Sequence, residues 1–316
     1  MSSRLFRFTT MIPVPADHRG VVESARRAEA LGYDVLVIPD HLPQALAPLP
    51  TLVAVAGATS RIRIGTHVLN NDLRHPAVLA QDLATIDVLS GGRLEIGIGA
   101  GWNRPEYEQA GISYDPIGRR VSRMEESIKV LKGLFADAPF SFAGEFYQIT
   151  EMSGSPKPVQ RPHPPFMVGG GGRRVLSIGG REAQIVGLAP RLAAPDRPDV
   201  LGCLAEGTLE KVGWIRAAAG GRADEVEIST YPPLTPVTIT GDRRAAAREV
   251  AGQLKALFGL ELSEDDVLGS PHIFLGTVDE LVEKCLELRE RFGITNVNVR
   301  GAMEEFAPVM ERLAGK

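Results

Sequence analysis

Residues 62–103 read IRIGTHVLNNDLRHPAVLAQDLATIDVLSGGRLEIGIGAGWN and contain one complete strand–helix–strand unit. The apolar run at 62–69 predicts a strand. Pro76 suits the start of a helix, where its missing N–H is not needed, and leucine and isoleucine follow it with helical spacing. Gly91 is typical of a helix end. The apolar run at 94–98 then predicts the next strand.

The same alternation continues along the whole chain. Short β-branched runs that are apolar on both faces are typical of strands buried on both sides. The predicted strands are 6–12, 35–38, 62–69, 94–98, 166–168, 185–188, either 226–228 or 237–239, and 297–299. Helical patterns lie between them, such as the one that follows the capping box of Thr277 and Glu280. Repeated units of this kind predict a parallel sheet, either closed as a barrel or open and doubly wound.

Two segments interrupt the alternation. Residues 140–149 predict a hairpin that turns at Ala143 and Gly144. Residues 153–165 are rich in proline and predict an irregular connection. A long irregular segment inside a compact domain is usually functional.

Composition restricts the classes of function. The 316 residues carry a formal net charge of −4 with dispersed basic residues, which argues against a nucleic-acid partner. No apolar run approaches the ~18 residues of a membrane span, and no secretory signal is apparent. Cys203 and Cys285 lie far apart, so we expect no disulfide, core packing for Cys285, and a cytoplasmic protein. His18, His163 and His272 are predicted to be single loop residues, and no residues have metal-ligand spacing.

Polar and glycine residues follow four of the predicted strands. In a parallel barrel the C-terminal strand ends form the ligand site. The residues at these positions are Asp40, His41, His67, Val68, Asn70, Gly99, Ala100, Gly101, Trp102, Gly169, Gly170, Gly171, Gly172, Arg173 and Arg174. His41 could exchange a proton with a ligand because histidine titrates near neutrality. Asp40 could accept a hydrogen bond from the ligand or fix the His41 tautomer; alternatively, the pair is an exposed loop with Asp40 as a cap.

The glycine run at 169–172 also has two interpretations. It could be a flexible turn. Alternatively, a helix starts near Arg173, so that backbone N–H groups, the positive helix end and two arginines face a phosphate.

Two charged residues fall inside predicted strands. Arg63 and Glu95 must be paired if they are buried, so we predict a mutual ion pair in the lower barrel. Gly97 and Gly99 share the face of Glu95, and we interpret them as leaving room for a planar ring.

These motifs resemble the luciferase-like monooxygenases, and more narrowly their branch of coenzyme F420-dependent oxidoreductases. The resemblance rests on Asp40-His41, on residues 65–103, on PPFMVGGGGRRVL at 164–176 and on residues 270–299. It implies an α/β fold, a (β/α)₈ TIM barrel with insertions, in one domain over residues 1–316. It also implies a homodimer.

The resemblance further implies which residues contact a flavin or deazaflavin. Asp40 and His41 would contact the ring, with His41 as the acid or base. His67 and Val68 would be joined by a cis peptide that backs the ring. Asn70 and the residues from Gly99 to Trp102 would line the pocket, while the glycine run with Arg173 and Arg174 would hold the phosphate. Trp102 replaces a glutamate that several F420-dependent dehydrogenases use as an acid, and the segment at 183–187 departs from the family pattern.

We therefore expect hydride transfer between coenzyme F420 and a small organic substrate. One alternative is an FMN-dependent monooxygenase that uses reduced flavin and O₂. A second is a non-catalytic protein that binds flavin or deazaflavin. An aldolase or isomerase barrel would require a lysine or a glutamate base at a strand end, and no predicted strand ends in lysine.

Overall fold

Eight parallel strands close into a barrel in the computed structural model, which describes residues 4–12, 17–43, 46–194, 197–230, 235 and 237–316. The barrel strands are β1 (Arg7–Met11), β2 (Val35–Ile38), β3 (Arg63–Thr66), β4 (Leu94–Gly99), β5 (Phe166–Gly170), β6 (Ile185–Leu188), β7 (Glu227–Ser229) and β8 (Asn296–Asn298). Each strand pairs with the next one along the chain, and β8 pairs with β1. The closed barrel confirms the first of the two sheet arrangements that the sequence allowed.

Helices surround the barrel and mostly follow its strands. They are α1 (His18–Ala30), α2 (Pro48–Ala58), α3 (Pro76–Leu89), α4 (Arg104–Ala110), α5 (Ile117–Phe135), α6 (Arg173–Glu182), α7 (Ala205–Ala219), α8 (Arg243–Phe258), α9 (Glu264–Gly269), α10 (Val278–Glu287) and α11 (Met303–Leu313). A π-helical turn, Leu288–Phe292, extends α10, and 3₁₀ turns cover Asn71–Leu73, Leu201–Cys203 and Gly220–Arg222. Within the described ranges every helix is too short or too polar to cross a membrane.

Local sequence signals determine several helix starts. Pro76 is the first residue of α3, and the preceding His75 accepts a hydrogen bond from Ala77 N. The capping box of Thr277 and Glu280 is present at the start of α10, as the sequence predicted. Such caps satisfy N–H groups that have no partner within the helix.

Shorter strands lie outside the barrel. Phe140–Ala143 and Gln148–Met152 form the predicted hairpin, with its turn at residues 144–147. Thr238–Ile239 pairs with Leu275–Gly276. Of the two candidates for the seventh barrel strand, the one at 226–228 is therefore correct. A small apolar cluster from α8, α9 and neighbouring segments is separate from the main core.

The end of the barrel opposite the C-terminal strand ends contains an ion-pair network. Arg63 Nε lies 2.6 Å from Glu95 Oε1, which confirms the predicted pair. Arg7 Nη2 lies 2.5 Å from the same oxygen and bridges to Glu227 with Nη1 at 3.0 Å. Four charges from β1, β3, β4 and β7 thus neutralise one another where burial would otherwise make each of them costly.

Both cysteines are buried and free, and Cys285 packs in the core as predicted. Burial raises the pKa of the Cys285 thiol to about 12 and that of Cys203 to about 11. Of the three histidines predicted to be in loops, His163 and His272 lie in loops and His18 does not. His18 is the first residue of α1, and His272 is buried with Nε2 3.2 Å from Thr208 Oγ1. The sequence pattern gave no sign of this buried contact because the two residues are 64 positions apart.

Burial of His272 makes stability sensitive to acid. Burial is the main cause that lowers the His272 pKa to about 3, with nearby Lys211 and Lys284 acting in the same direction. In the unfolded chain a histidine has a pKa of about 6.5, so the unfolded chain binds this proton first as the pH falls. The stabilising contribution of neutral His272 is therefore complete above about pH 6.5 and declines below it. We expect the melting temperature of His272→Gln to fall less than that of wild type when the pH is lowered from 7 to about 4.5.

Thermal unfolding followed by circular dichroism at both pH values tests this expectation. His18→Gln, at an exposed position on α1, is the control for removing one histidine. Equal pH-dependent losses of melting temperature in wild type and His272→Gln would contradict the assignment.

Candidate active site

The residues that follow β2, β3, β4 and β5 come together at one mouth of the barrel. Asn70 N donates to Asp40 Oδ2 at 3.0 Å, which joins the segments after β2 and β3. The Tyr107 hydroxyl lies 2.9 Å from Asn70 Oδ1, which joins the segment after β4 to them. The Val68 side chain fits against Gly99 and Gly169, at the ends of β4 and β5. Five of the predicted site residues are therefore neighbours in space, namely Asp40, Val68, Asn70, Gly99 and Gly169.

His41 contacts a buried carboxylate that comes from α4. Its Nδ1 lies 2.6 Å from Glu106 Oε1, and the Glu106 side chain is only 2% exposed. Asn103 Nδ2 donates to the same oxygen at 2.5 Å. A carboxylate oxygen has no proton to donate, so we infer that it accepts from His41 as it does from the Asn103 amide, and that Nδ1 carries the proton. Nε2 is then the imidazole nitrogen left to exchange a proton with a ligand.

Asp40 has a different set of partners from those predicted. Its carboxylate accepts two hydrogen bonds from the Arg74 guanidinium, at 2.6 and 3.0 Å, and one from Asn70 N. This bidentate pair fixes the loop after β2 against the loop after β3. The carboxylate within hydrogen-bond distance of the His41 ring is that of Glu106. The hypothesis that Asp40 fixes the His41 tautomer is therefore wrong.

The peptide bond between His67 and Val68 is cis, as the resemblance implied. These two residues, which directly follow β3 and are called the bulge below, place the Val68 side chain against the glycines of β4 and β5. A Cβ on Gly99 would lie 2.6 Å from Val68 Cγ2, and one on Gly169 would lie 2.9 Å from Cγ1. The interpretation that Gly97 and Gly99 directly leave room for a ring is therefore corrected, because Gly99 leaves room for Val68 and Gly97 for the Thr66 carbonyl group.

A buried tyrosine supports the loop after β4. The Tyr107 hydroxyl lies 2.9 Å from Asn70 Oδ1 and 3.1 Å from Asp72 Oδ2. Burial, together with the negative charge of Asp72, raises the pKa of Tyr107. Gly101 has φ +73°, and a Cβ there would be 2.0 Å from the Tyr107 hydroxyl oxygen. Glycine is therefore required at position 101 both by its backbone conformation and by the tyrosine.

The carbonyl groups of this loop are held by a buried arginine. Arg120 Nη1 donates to Ala100 O at 2.8 Å and to Gly101 O, while Nε donates to Asp115 O at 2.8 Å. Trp102 remains 51% exposed and meets the His41 ring edge-on, with 5.7 Å between ring centroids. The loop is thus held through its backbone carbonyl groups, while the exposed indole of Trp102 lies beside His41.

The glycine run at 169–172 covers the end of β5 and the connection to α6, and most of its glycines are required by packing. A Cβ on Gly170 would lie 2.6 Å from Val175 Cγ1, and one on Gly171 would lie 2.3 Å from Ala189 O. Gly172 differs, because a Cβ there would meet no atom within 4 Å. It is the N-cap of α6 and supplies no side-chain cap. The predicted helix start near Arg173 is confirmed, and its first N–H groups point out of the helix without a side-chain partner.

The two arginines at the start of α6 differ in their hydrogen-bond partners. Arg174 donates to Gly118 O at 2.9 Å and to Ser122 Oγ at 2.8 Å, so it is already engaged with α5. Arg173 is exposed, and the structure shows no ion pair or hydrogen bond of its side chain with any described residue. Arg173 is therefore the one of the two that could receive an anion without losing existing bonds.

Glu106, Arg74, Tyr107 and Arg120 were not predicted from the sequence. They contact His41, Asp40, Asn70 and Gly101, respectively, which lie 19 to 65 positions away, so no local pattern indicates these pairs. One local signal was available, since Asn103 and Glu106 have the spacing of an N-cap and an N3 residue at the start of α4. In the part of the chain that the structure describes, no cluster of three histidine, cysteine or acidic residues could hold a metal ion.

Comparison with known proteins agrees with this geometry. The family model described as luciferase-like monooxygenase matches residues 3–278. The chain is 36% identical over 164 residues, 48% of each protein, to the F420-dependent glucose-6-phosphate dehydrogenase of Amycolatopsis mediterranei (strain U-32). It is 31% identical over 205 residues to the FMNH(2)-dependent dimethylsulfone monooxygenase of Pseudomonas putida, covering 64% of this chain and 51% of that protein. The chain thus spans about half the length of these curated relatives.

A solved structure covers nearly the whole chain. The coenzyme F420 dependent tetrahydromethanopterin reductase from Methanopyrus kandleri has a TM-score of 0.76 and 21% sequence identity, covering 99% of this chain and 98% of that one. At this identity the likeness concerns the fold, and it agrees with the closed barrel described above.

Proposed function

The chain belongs to the luciferase-like monooxygenase family, and we propose that it is an oxidoreductase that transfers a hydride between coenzyme F420 and a small organic substrate. Its relatives include an enzyme named for F420 and one named for FMNH(2). The family and these relatives support redox chemistry at the mouth of the barrel. The choice of F420 rests on the residues discussed next.

The observation that carries the proposal is the contact of 2.6 Å between His41 Nδ1 and buried Glu106 Oε1. Glu106 holds the imidazole in one tautomer and one orientation. His41 Nε2 can then give a proton to a substrate oxygen or take one from it. Glu106 acts on the substrate through His41, so it is a positioning residue.

The described residues fit a phosphorylated flavin or deazaflavin. The uncapped start of α6 offers backbone N–H groups, Gly172 leaves open space beside them, and Arg173 adds a free guanidinium. Val68, on the cis bulge, offers an apolar surface against which a ring would pack. When bound, the cofactor supplies hydride chemistry, while the protein binds, orients and exchanges protons. Gly169, Gly170 and Gly171 would contribute only their backbone.

The choice of F420 over FMN rests on Arg173. The tail of F420 carries more negative charge than the single phosphate of FMN, so it gains more from an exposed cation beside the phosphate site. Arg174 is engaged with α5 and would contribute less. This differs from the expectation that both arginines hold the phosphate.

Equilibrium binding of F420 and of FMN, measured under identical conditions, tests the proposal. We expect tighter binding of F420, and about 5- to 30-fold weaker binding in Arg173→Ala, because a partly exposed charge-assisted contact contributes about 1–2 kcal/mol. Arg174→Ala is the matched control and should change the F420 dissociation constant less. Preferential binding of FMN would replace the F420 proposal by the reduced-flavin and O₂ alternative. Failure to bind either cofactor would support the non-catalytic alternative.

A further inference from the structure

Two exposed side chains near His41, those of Trp102 and Leu42, are apolar. Trp102 is 51% exposed and its ring edge lies against the imidazole, with a centroid distance of 5.7 Å. Leu42, the residue after His41, is also 51% exposed. A ligand that covers both side chains would remove a large apolar surface from water, at about 25 cal/mol per Å². Exposed indole and isobutyl groups next to a candidate acid or base favour an apolar ligand portion.

The cations around this part of the mouth are already neutralised. The segments after β2, β3 and β4 (residues 39–43, 67–75 and 100–123) contain arginine and no lysine. Arg74 pairs with Asp40, and Arg123 lies 2.8 Å from Asp72 and contacts Asp115. Arg104 and Arg119 pair with the carboxylates of Glu108 and Glu145. Arg120 donates to backbone carbonyls.

The charge that does face His41 is negative. Glu106 Oε1 lies 2.6 Å from the imidazole, and this carboxylate is almost fully buried. A phosphate or carboxylate on a substrate placed beside His41 would be repelled by Glu106. Arg173, the free cation at the start of α6, is assigned to the cofactor phosphate. Within residues 39–43, 67–75 and 100–123 an anion would gain a cation only by breaking one of these arginine pairs, which for Arg74 leaves buried Asp40 without its partner.

We propose that the substrate of this site is an uncharged organic molecule whose apolar ring or chain packs on Trp102 and Leu42. This inference rests on the proposed function for the position of the substrate. It separates the chain from its relative named for glucose 6-phosphate, whose substrate is an anion. Trp102 and Leu42 determine specificity by contact area, and the neutralised arginines determine it by excluding anions.

Trp102 can report binding directly. The chain contains two tryptophans, Trp102 and Trp214, so all tryptophan fluorescence of the Trp214→Phe variant comes from Trp102. The purified protein is titrated with 4-tert-butylcyclohexanone and with 4-oxocyclohexanecarboxylate, two ring ketones that differ in charge. Glucose 6-phosphate is the third probe. We expect the uncharged ketone to quench or shift the fluorescence with a dissociation constant at least about tenfold lower than either anion.

A second variant tests the charge argument. Leu42→Arg, at an exposed position in the Trp214→Phe background, adds an unpaired cation beside His41 and should shift the preference toward the carboxylate probe. Val78→Arg, on the exposed face of α3, is the matched control and should leave the preference unchanged. Equal or tighter binding of either anion to the Trp214→Phe protein would overturn the inference, as would a Trp102 signal that none of the probes changes.

These titrations measure ligand binding and need no turnover. Their outcome for the substrate class can therefore be distinguished from the outcome of the cofactor-binding test of the proposed function. Loss of both F420 and FMN binding would refute the proposed function, while a preference for the uncharged ketone would still support the substrate class. Conversely, strong F420 binding together with a preference for an anion would overturn only the substrate class.

Discussion

His41→Gln is expected to lower kcat by about 10²- to 10⁴-fold, the usual contribution of one acid or base. The amide cannot exchange a proton at the position of Nε2, while its size preserves packing beside Trp102. The dissociation constant of F420 should change little, because the phosphate-binding candidates lie at the start of α6. The measurement is steady-state kinetics with the best substrate from a screen with reduced F420, together with F420 binding.

Two variants separate the loss of a proton donor from general damage. His75→Gln removes another histidine, one that caps α3, and should retain near wild-type kcat. Glu106→Gln keeps the size of the side chain and replaces the carboxylate that contacts His41 Nδ1 by an amide, so His41 is no longer held by a group that can only accept. We expect Glu106→Gln to lower kcat and to leave the dissociation constant of F420 nearly unchanged, because Glu106 acts through His41 and lies away from the start of α6. A His41→Gln enzyme with wild-type kcat would refute the assignment of His41 as acid or base.

The sequence pattern predicted the alternating strands and helices because each unit carries its own signals, and the family resemblance implied that the sheet closes into a barrel. Strands such as β2 are apolar on both faces, and helix starts such as those of α3 and α10 carry their caps within three residues. The seventh strand stayed ambiguous because two short apolar runs lie close together, and only pairing across the sheet distinguishes them. Local patterns therefore predict the helices and strands, while pairing between distant residues decides which of two candidate strands enters the barrel.

The same distinction applies to the site. The strand-end rule identified the position of His41 and the glycine run, because it depends only on where strands end. It could not identify Glu106 as the partner of His41 or Arg74 as the partner of Asp40, since these pairs are 65 and 34 residues apart. It also could not show that Gly99 and Gly169 accommodate Val68, because that depends on the direction of a side chain on the bulge after β3.

Gly97→Ala should have the largest effect on stability, because the space at this glycine is limited by backbone. A Cβ on Gly97 would lie 1.9 Å from Thr66 O, and Thr66 Oγ1 also exchanges hydrogen bonds with Gly97 N and Gly97 O at 3.0 and 2.8 Å. Strands β3 and β4 would have to separate, and we expect a loss of about 3 kcal/mol or more in the free energy of unfolding.

The matched control for this substitution is Gly252→Ala, in the middle of α8. A Cβ on Gly252 would meet no atom within 4 Å, so the variant should gain about 0.5–1 kcal/mol from the higher helix propensity of alanine. Urea unfolding of wild type and both variants, followed by circular dichroism, gives the two changes with opposite signs. Failure of Gly97→Ala to fold agrees with the predicted direction, whereas an unfolding midpoint equal to that of wild type would contradict the close approach of β3 and β4 at Gly97. Because Thr66 directly precedes His67, a separation of these strands would also displace the bulge that carries Val68, and we expect Gly97→Ala to weaken cofactor binding as well.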